Sequence, residues 1–295
     1  MWIILALASA IGLGVYDIMK KLSLRDNNVL IVLMLNTLFG MLLLSPIIIS
    51  ELISGSTGFD GSASAHGLIL IKSAIVLGSW LLGYFAIKHL PLTIQGPINA
   101  SRPVMVLTGA VLIFGERLNL IQWIGITLGF LSLFLISRIG SREGFSFRRS
   151  KWLWMSIGAA ILGAVSGLYD KFLLKSFRPY DVQAWYAFYQ FIIMTSTILI
   201  LRKCAPQSAG ISTPFRWRWT ILLISVFLTL ADTAYFYSLS IDGSMVSIVS
   251  MIRRGSVIVP FIYGITVLHE RNIKAKTIDL TILLISLTLL VIGSR

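Results

Sequence analysis

Gly14-Val15-Tyr16-Asp17 and Gly167-Leu168-Tyr169-Asp170 are one phrase written twice in this chain. Three further pairs follow in the same order: Tyr84-Phe85-Ala86-Ile87 with Phe236-Tyr237-Ser238-Leu239, Ser101-Arg102 with Arg253-Arg254, and Phe114-Gly115-Glu116-Arg117 with Leu268-His269-Glu270-Arg271. All four are offset by 152–154 residues, and four matches in register point to an internal duplication. A membrane span needs roughly 20 mostly apolar residues. Ten segments qualify, near 2–19, 28–50, 67–87, 92–114, 120–137, 152–175, 182–201, 218–239, 244–268 and 276–293. The duplication assigns five of them to each half: a first repeat over 1–140, a basic connecting loop over 141–150, and a second repeat over 151–295. Five is odd, so the second repeat is expected to lie upside down relative to the first. The expected fold class is all-α and integral to the membrane, with ten transmembrane helices arranged as two inverted five-helix repeats.

Composition supports a membrane class. Of the 295 residues, 56% are hydrophobic and 13% charged, and the mean hydropathy is +0.87. Soluble domains are about 45–50% apolar and about 25% charged. A chain with so little charge cannot cover its surface in water, whereas lipid makes no such demand. The net charge of +13 sits mainly in short stretches between apolar runs, so no nucleic-acid partner is expected. The lone Cys204 cannot form an internal disulfide. His66, His89 and His269 fit no metal-ligand spacing, so neither a metal nor a cofactor is expected. No P-loop, GxGxxG, GxSxG or HExxH motif occurs, so the chain is not expected to be an enzyme. Met1-Trp2-Ile3 carries no basic residue, so the first segment reads as a retained helix rather than a signal peptide.

Gly115-Glu116-Arg117-Leu118 closes the fourth segment, an apolar helix with Gly125 and Gly129 follows it, and a proline-bearing stretch from Pro97 to Pro103 precedes it. In these features the sequence resembles the EamA family of ten-helix drug/metabolite transporters over essentially its whole length. The second copy departs from the pattern, reading His269-Glu270-Arg271-Asn272. The resemblance implies a central cavity lined mainly by helices 1, 3, 4, 6, 8 and 9. It also implies transport of small organic metabolites, often as export, without naming the substrate.

Charges inside spans mark candidate sites, because an Arg or Asp at a helix centre costs about 2.5–3.5 kcal/mol on insertion scales. Arg102 falls near the middle of helix 4, Arg253 and Arg254 near the middle of helix 9, Asp232 well inside helix 8 and Asp170 in the second half of helix 6. Arg102, Arg253 and Arg254 are the candidate anion-attracting groups, and Asp232 and Asp170 the candidate proton-coupling groups; Arg–Asp pairs that merely lock the halves are the structural alternative. Gln95 and Asn99 join the substrate-binding candidates, because Pro97 and Pro103 should kink or break helix 4 beside them. Trp80, Tyr84, Tyr235 and Tyr237 are the candidate aromatic cavity wall. Asp17 beside Lys20 and Lys21, Lys72, Glu116 and Glu270 read as interfacial charges near span ends. Gly125-x-x-x-Gly129 and Gly163-x-x-x-Gly167 read as helix-packing sites.

Together these readings point to a secondary active transporter of a small organic metabolite, anionic or zwitterionic, operating by alternating access. The competing classes are an intramembrane enzyme acting on a lipid-linked substrate and a passive channel. The expected partners are membrane lipids and the small-molecule substrate, with the chain a monomer or homodimer in a bacterial inner membrane.

Loop charge predicts the orientation. With ten helices both termini share one side, where the loops hold Arg117, Lys175, Arg178 and Arg295, about four cations, against about sixteen opposite. The positive-inside rule therefore places both termini outside and the loop joining the halves inside, whereas the family resemblance implies cytoplasmic termini. A phosphatase fused after Arg295 is expected to be active; a fluorescent cytoplasmic fusion there would reverse the assignment.

Overall fold

The computed structural model describes residues 2–54, 63–105, 108, 118–142, 150–173, 176–204, 213–241, 249, 252–270 and 272–293. Among them ten α-helices have both ends described, shorter helical stretches occur at 102–105 and 252–254, and no strand occurs. They are α1 (Trp2–Leu24), α2 (Val29–Ser54), α3 (Ala63–His89), α4 (Leu92–Ala100), α5 (Leu120–Arg142), α6 (Lys151–Leu173), α7 (Pro179–Cys204), α8 (Trp219–Ser240), α9 (Ile258–Thr266) and α10 (Ile273–Gly293). Helices α1, α2, α3, α7 and α10 are long and apolar enough to cross a membrane, and α5 and α8 carry shorter apolar stretches, Leu120–Ile136 and Trp219–Tyr235. A helix satisfies its backbone internally, which lipid requires of any spanning segment.

Helices α4 and α9 are the exceptions in length, with nine residues each. After α4 the chain turns at Ser101 and resumes as helix over 102–105. Pro103 has no N–H to give the Asn99 carbonyl, so the helix is interrupted there. Ahead of α9 a 3-10 turn, Gly255–Val257, follows the helical residues 252–254. Pro260, the third residue of α9, likewise withholds a donor from the Ser256 carbonyl. The kink expected of helix 4 thus has a structural counterpart in both halves.

Packing is dominated by four pairs, α1 with α8, α3 with α6, α5 with α10 and α2 with α7. Smaller contacts join α2 to α8, α3 to α7, α1 to α9, α4 to α6 and α4 to α9. Small residues bring the backbones close. The Ser9 hydroxyl donates to the Ala231 carbonyl at 2.6 Å across α1–α8, and Ser79 donates to the Ala159 carbonyl at 2.7 Å across α3–α6. On α5–α10, Ser286 donates to the Gly125 carbonyl at 2.6 Å, and a Cβ on Gly129 would lie 2.9 Å from the Ser286 hydroxyl. Gly125 and Gly129 are therefore packing residues, as the spacing suggested.

Helix ends are closed by polar groups. Asn28 accepts from Ile31 N–H at 3.0 Å at the start of α2. Asn119 and Gln122 exchange bonds of 2.8 and 3.0 Å as a capping box opening α5. Lys21 donates to the carbonyls of Ile87 and Leu90, both at 2.6 Å, placing a cation at the carbonyl end of α3. Lys88 donates to the Asn27 carbonyl at 2.7 Å, and Arg218 to that of Leu22 at 2.5 Å. These bonds gather the ends of α1, α3 and the start of α8 at one end of the bundle. At the other end Asn119 donates to the Gly293 carbonyl at 2.7 Å.

The α9–α10 turn carries the second copy of the motif, where histidine stands in place of glycine. His269, in the place that Gly115 occupies in the first copy, has φ 50°, the left-handed region that glycine enters freely. Its strain is tied to a contact between the halves. Glu270 N–H donates to the Gly264 carbonyl at 3.0 Å, and the Glu270 carboxylate accepts from the N–H groups of Leu92 (2.8 Å) and Thr93 (3.1 Å) and from the Thr93 hydroxyl. An acid from the second half thus caps the first turn of α4 in the first. Glu116 and Arg117, its motif partners, lie outside the described residues. A side chain in this backbone region costs about 1–2 kcal/mol. His269→Gly is therefore expected to raise the unfolding midpoint of the detergent-solubilised protein by a few degrees; an unchanged or lower midpoint in a thermal melt would contradict it.

Candidate functional site

The two helix interruptions bring the candidate arginines together. Arg102 follows the Ser101 turn directly, and Arg254 directly precedes the 3-10 turn. Arg254 lies close enough to Arg102, Arg253 and Tyr235 for their charges to interact. Arg253 forms an ion pair with Asp232 on α8, and its guanidinium sits 4.2 Å above the ring of Tyr235, one turn further along. The pair is half-buried, with side chains 20% and 14% exposed.

Arg102 is held differently. Its Nη2 donates to Asn99 Oδ1 at 2.8 Å, while its Nε makes no hydrogen bond. The guanidinium lies against Gly163 of α6, where a Cβ would stand 2.5 Å from Arg102 Cζ. Gly163 therefore makes room for a cation, and the second of the two glycine motifs is not a backbone-to-backbone seam at this residue. Arg102 also interacts electrostatically with Asp17 and Tyr16 of α1.

Asp17, expected as an interfacial charge, is mostly buried, with its side chain 20% exposed. Its carboxylate pairs with Lys20 at 2.6 Å, and Lys20 is only 5% exposed. The Lys20 ammonium lies 4.3 Å from the Tyr16 ring and 5.5 Å from the Tyr84 ring. Lys72 is interior too, 4.8 Å from the Tyr186 ring, and does not reach outward as its place near a span end suggested. Among the described side chains the central group thus holds four cations, Lys20, Arg102, Arg253 and Arg254, against two carboxylates, Asp17 and Asp232. The side chain of Asp170 lies outside the described residues.

A small cavity adjoins this group. Asn36 of α2, Trp80 of α3, Gln183 and Gln190 of α7, and Ser225 and Asp232 of α8 line it. Its walls are α2, α3, α7 and α8, so of the helices that the resemblance named only α3 and α8 contribute. Of the candidate residues, Trp80 and Asp232 face it. Tyr84 and Gln95 are buried, and Tyr84 Oη and Gln95 Oε1 make no hydrogen bond. Asn99 serves Arg102, and Tyr235 serves Arg253. Tyr237 stands apart, 57% exposed, with its ring 6.4 Å from that of Tyr180.

Several polar groups of the interior carry no formal charge and no motif. Asn36 is the one amide side chain of α2, and Gln183 and Gln190 are two turns apart on one face of α7. An amide within a span is costly enough to serve as a signal in its own right. Asp279 on α10 is fully buried and accepts from Ser132 of α5 at 3.0 Å, so it belongs to the α5–α10 seam rather than to the cation group.

The model of the EamA-like transporter family matches residues 1–138. A solved structure described only as "Crystal structure of protein" is 13% identical to this chain, covers 98% of each of the two chains and superposes with a TM-score of 0.61, a likeness of fold alone. No curated protein matches. Apolar helices and the family match together support a multi-pass integral membrane protein of transporter-like type, with residues 1–138 similar to the EamA-like transporter family.

Proposed function

We propose that this chain is a secondary active transporter of small organic anions or zwitterions, working by alternating access in a bacterial inner membrane. Ten spans form two inverted repeats, residues 1–140 and 151–295, joined by the basic loop 141–150. Helix pairing supports this architecture. Exchanging each helix with the one five places on turns α1–α8 into α6–α3, α2–α8 into α7–α3 and α1–α9 into α6–α4, and returns α2–α7, α4–α9 and α5–α10 to themselves. Each of these pairs is among the contacts observed, as a pseudo-two-fold relation requires. The helix ends also sort as alternating spans demand, with the ends of α1 and α3 meeting the start of α8 at one end of the bundle and Asn119 meeting Gly293 at the other.

The observation that carries the substrate class is the meeting of Arg102, Arg253 and Arg254 at the interruptions of α4 and α9, with Asp232 and Asp17 as the described counter-charges. Unbalanced positive charge at low dielectric attracts an anion. A gradient or exchange supplies the energy, with Asp232 and Asp170 the candidate coupling carboxylates.

Counterflow in proteoliposomes, run with a panel of organic anions, tests this reading, because only a carrier exchanges substrate against substrate. Arg102→Ala and Arg254→Ala are each expected to abolish counterflow while the protein still inserts. Gly163→Leu should do the same by displacing the Arg102 guanidinium. Normal exchange in both arginine variants would overturn the proposal.

A further inference from the structure

One buried carboxyl takes no part in the charge pairing of the interior. The described carboxylates Asp17, Asp26, Asp181, Asp232 and Glu270 each pair with a cation, whereas Asp279 forms no ion pair among the described residues. Asp279 stands six residues inside α10, about 9 Å of helix rise, and is 0% exposed. Its Oδ1 accepts from the Ser132 hydroxyl of α5 at 3.0 Å, and its Oδ2 makes no hydrogen bond. The ionisable side chains around it are turned elsewhere. Lys276, one turn back on α10, has its ammonium 3.9 Å from the Glu270 carboxylate, and Lys274 is exposed. Arg138, the titratable side chain described on α5, is exposed and lies over the Phe134 ring. Helix α4, which also packs on α10, has no titratable residue, and Arg102 beyond it lies against Gly163 of α6.

An ionised carboxylate removed from water needs a cation or several hydrogen bonds, and one hydroxyl supplies neither. A neutral carboxyl at the same place leaves at most one hydroxyl unpaired, a far smaller cost. The surroundings of Asp279 therefore suit a bound proton, and Oδ2 is the atom that takes it, because Oδ1 already accepts from Ser132. Asp232 differs, since a proton there would leave the Arg253 guanidinium without its counter-charge.

The position of Asp279 ties its proton to the arrangement of the halves. Helix α5 comes from the first half and α10 from the second, so the Ser132–Asp279 bond crosses between them. Two turns further on, Ser286 donates to the Gly125 carbonyl at 2.6 Å across the same seam. The closed seam keeps water from the carboxyl, and separation of α5 from α10 would admit it. A charged Asp279 favours the separated arrangement and a neutral one the closed arrangement, which is a differential affinity of the proton for two states. We propose that Asp279 is a proton-binding site at the seam between the halves, taking a proton from water on Oδ2 as α5 closes on α10 and returning it to water as they part. The inference rests on the proposed transport cycle and adds a third coupling carboxyl to Asp232 and Asp170.

The full-length protein in proteoliposomes tests it, with succinate, glutamate, lactate and gluconate as the panel for counterflow. In the wild type a gradient of one pH unit is expected to shift the steady-state accumulation of an exchanging anion by about tenfold per coupled proton. Asp279→Asn, whose amide oxygen can still accept from Ser132, should keep counterflow and lose the gradient effect. Ser132→Ala keeps the carboxyl and removes the hydrogen bond that favours its charged form, so the pH profile of accumulation should move to higher pH. That variant decides the matter if Asp279→Asn fails to insert, and an unchanged profile would overturn the site. Gradient-driven accumulation that survives in Asp279→Asn also overturns it. So does loss of counterflow together with accumulation, which would make Asp279 a packing residue. Wild-type counterflow that ignores the gradient refutes the proton site and leaves the transport reading standing. Absence of counterflow for every anion of the panel overturns both.

Discussion

A guanidinium inside an apolar helix bundle must be compensated, and the middle of this structure is arranged around that requirement. Insertion scales put the cost of an arginine at a helix centre at about 2.5–3.5 kcal/mol, and removal of one partner from a buried pair costs about 3–5 kcal/mol. Arg253 meets the demand with the Asp232 carboxylate and the face of the Tyr235 ring. Lys20 meets it with Asp17 and two tyrosine rings. Arg102 is served less fully, by one neutral amide oxygen and the more distant charge of Asp17. Gly163 admits it: any side chain there would occupy the volume of the guanidinium. The identities of α1, α6 and α8 at these positions therefore follow from the arginines on the interrupted helices.

A second set of charges works at the ends of helices rather than in the middle. Glu270 reaches from the second half to the N-terminus of α4, Arg218 reaches from the second half to the end of α1, and Lys21 closes α3. Each places charge where the helix dipole and the unsatisfied backbone groups want it. The charge-assisted bonds between the halves gather at one end of the bundle, whereas Asn119 joins the halves at the other end through a neutral bond to Gly293. The same bonds bear on the predicted loop charge. Of the sixteen or so cations that the sequence reading counts on one side, Lys20, Lys21, Lys88, Arg218 and Lys276 are engaged or buried, so the predicted excess becomes about eleven against about four.

What could be read in the sequence is what depends on composition and on single residues. Apolar length located the helices, and proline chemistry located the interruption after α4 at Pro103, because both are local constraints. Gly125 and Gly129 could be read as packing residues from their spacing alone. Asp17 and Lys20 could not be placed, since a charge three residues from a helix end looks the same whether it faces headgroups or the interior. Gly163 looked like half of a packing motif, because sequence spacing does not say whether the neighbour is a backbone or an arginine. Asn36, Gln183 and Gln190 are neutral amides and do not stand out beside ionisable residues, although in lipid both kinds need a reason to be buried. The strain at His269 is visible only in its backbone angle.

The position of the arginines on the interruptions, rather than within intact helices, links charge to movement under the proposed transport cycle. Arg102 and Arg254 adjoin the two turns and lie near each other across α4 and α9. Two like charges in a low-dielectric interior repel, and that repulsion varies with the separation of the two turns. An anion between them exchanges repulsion for attraction, and does so most strongly in the arrangement that brings both arginines to it. A ligand shifts a conformational equilibrium only by its differential affinity for the two states. Here the differential has a physical source. Under that proposal the energy of the arginine pair depends on how the halves sit, so a transported anion that joins the two would favour the arrangement in which both arginines reach it.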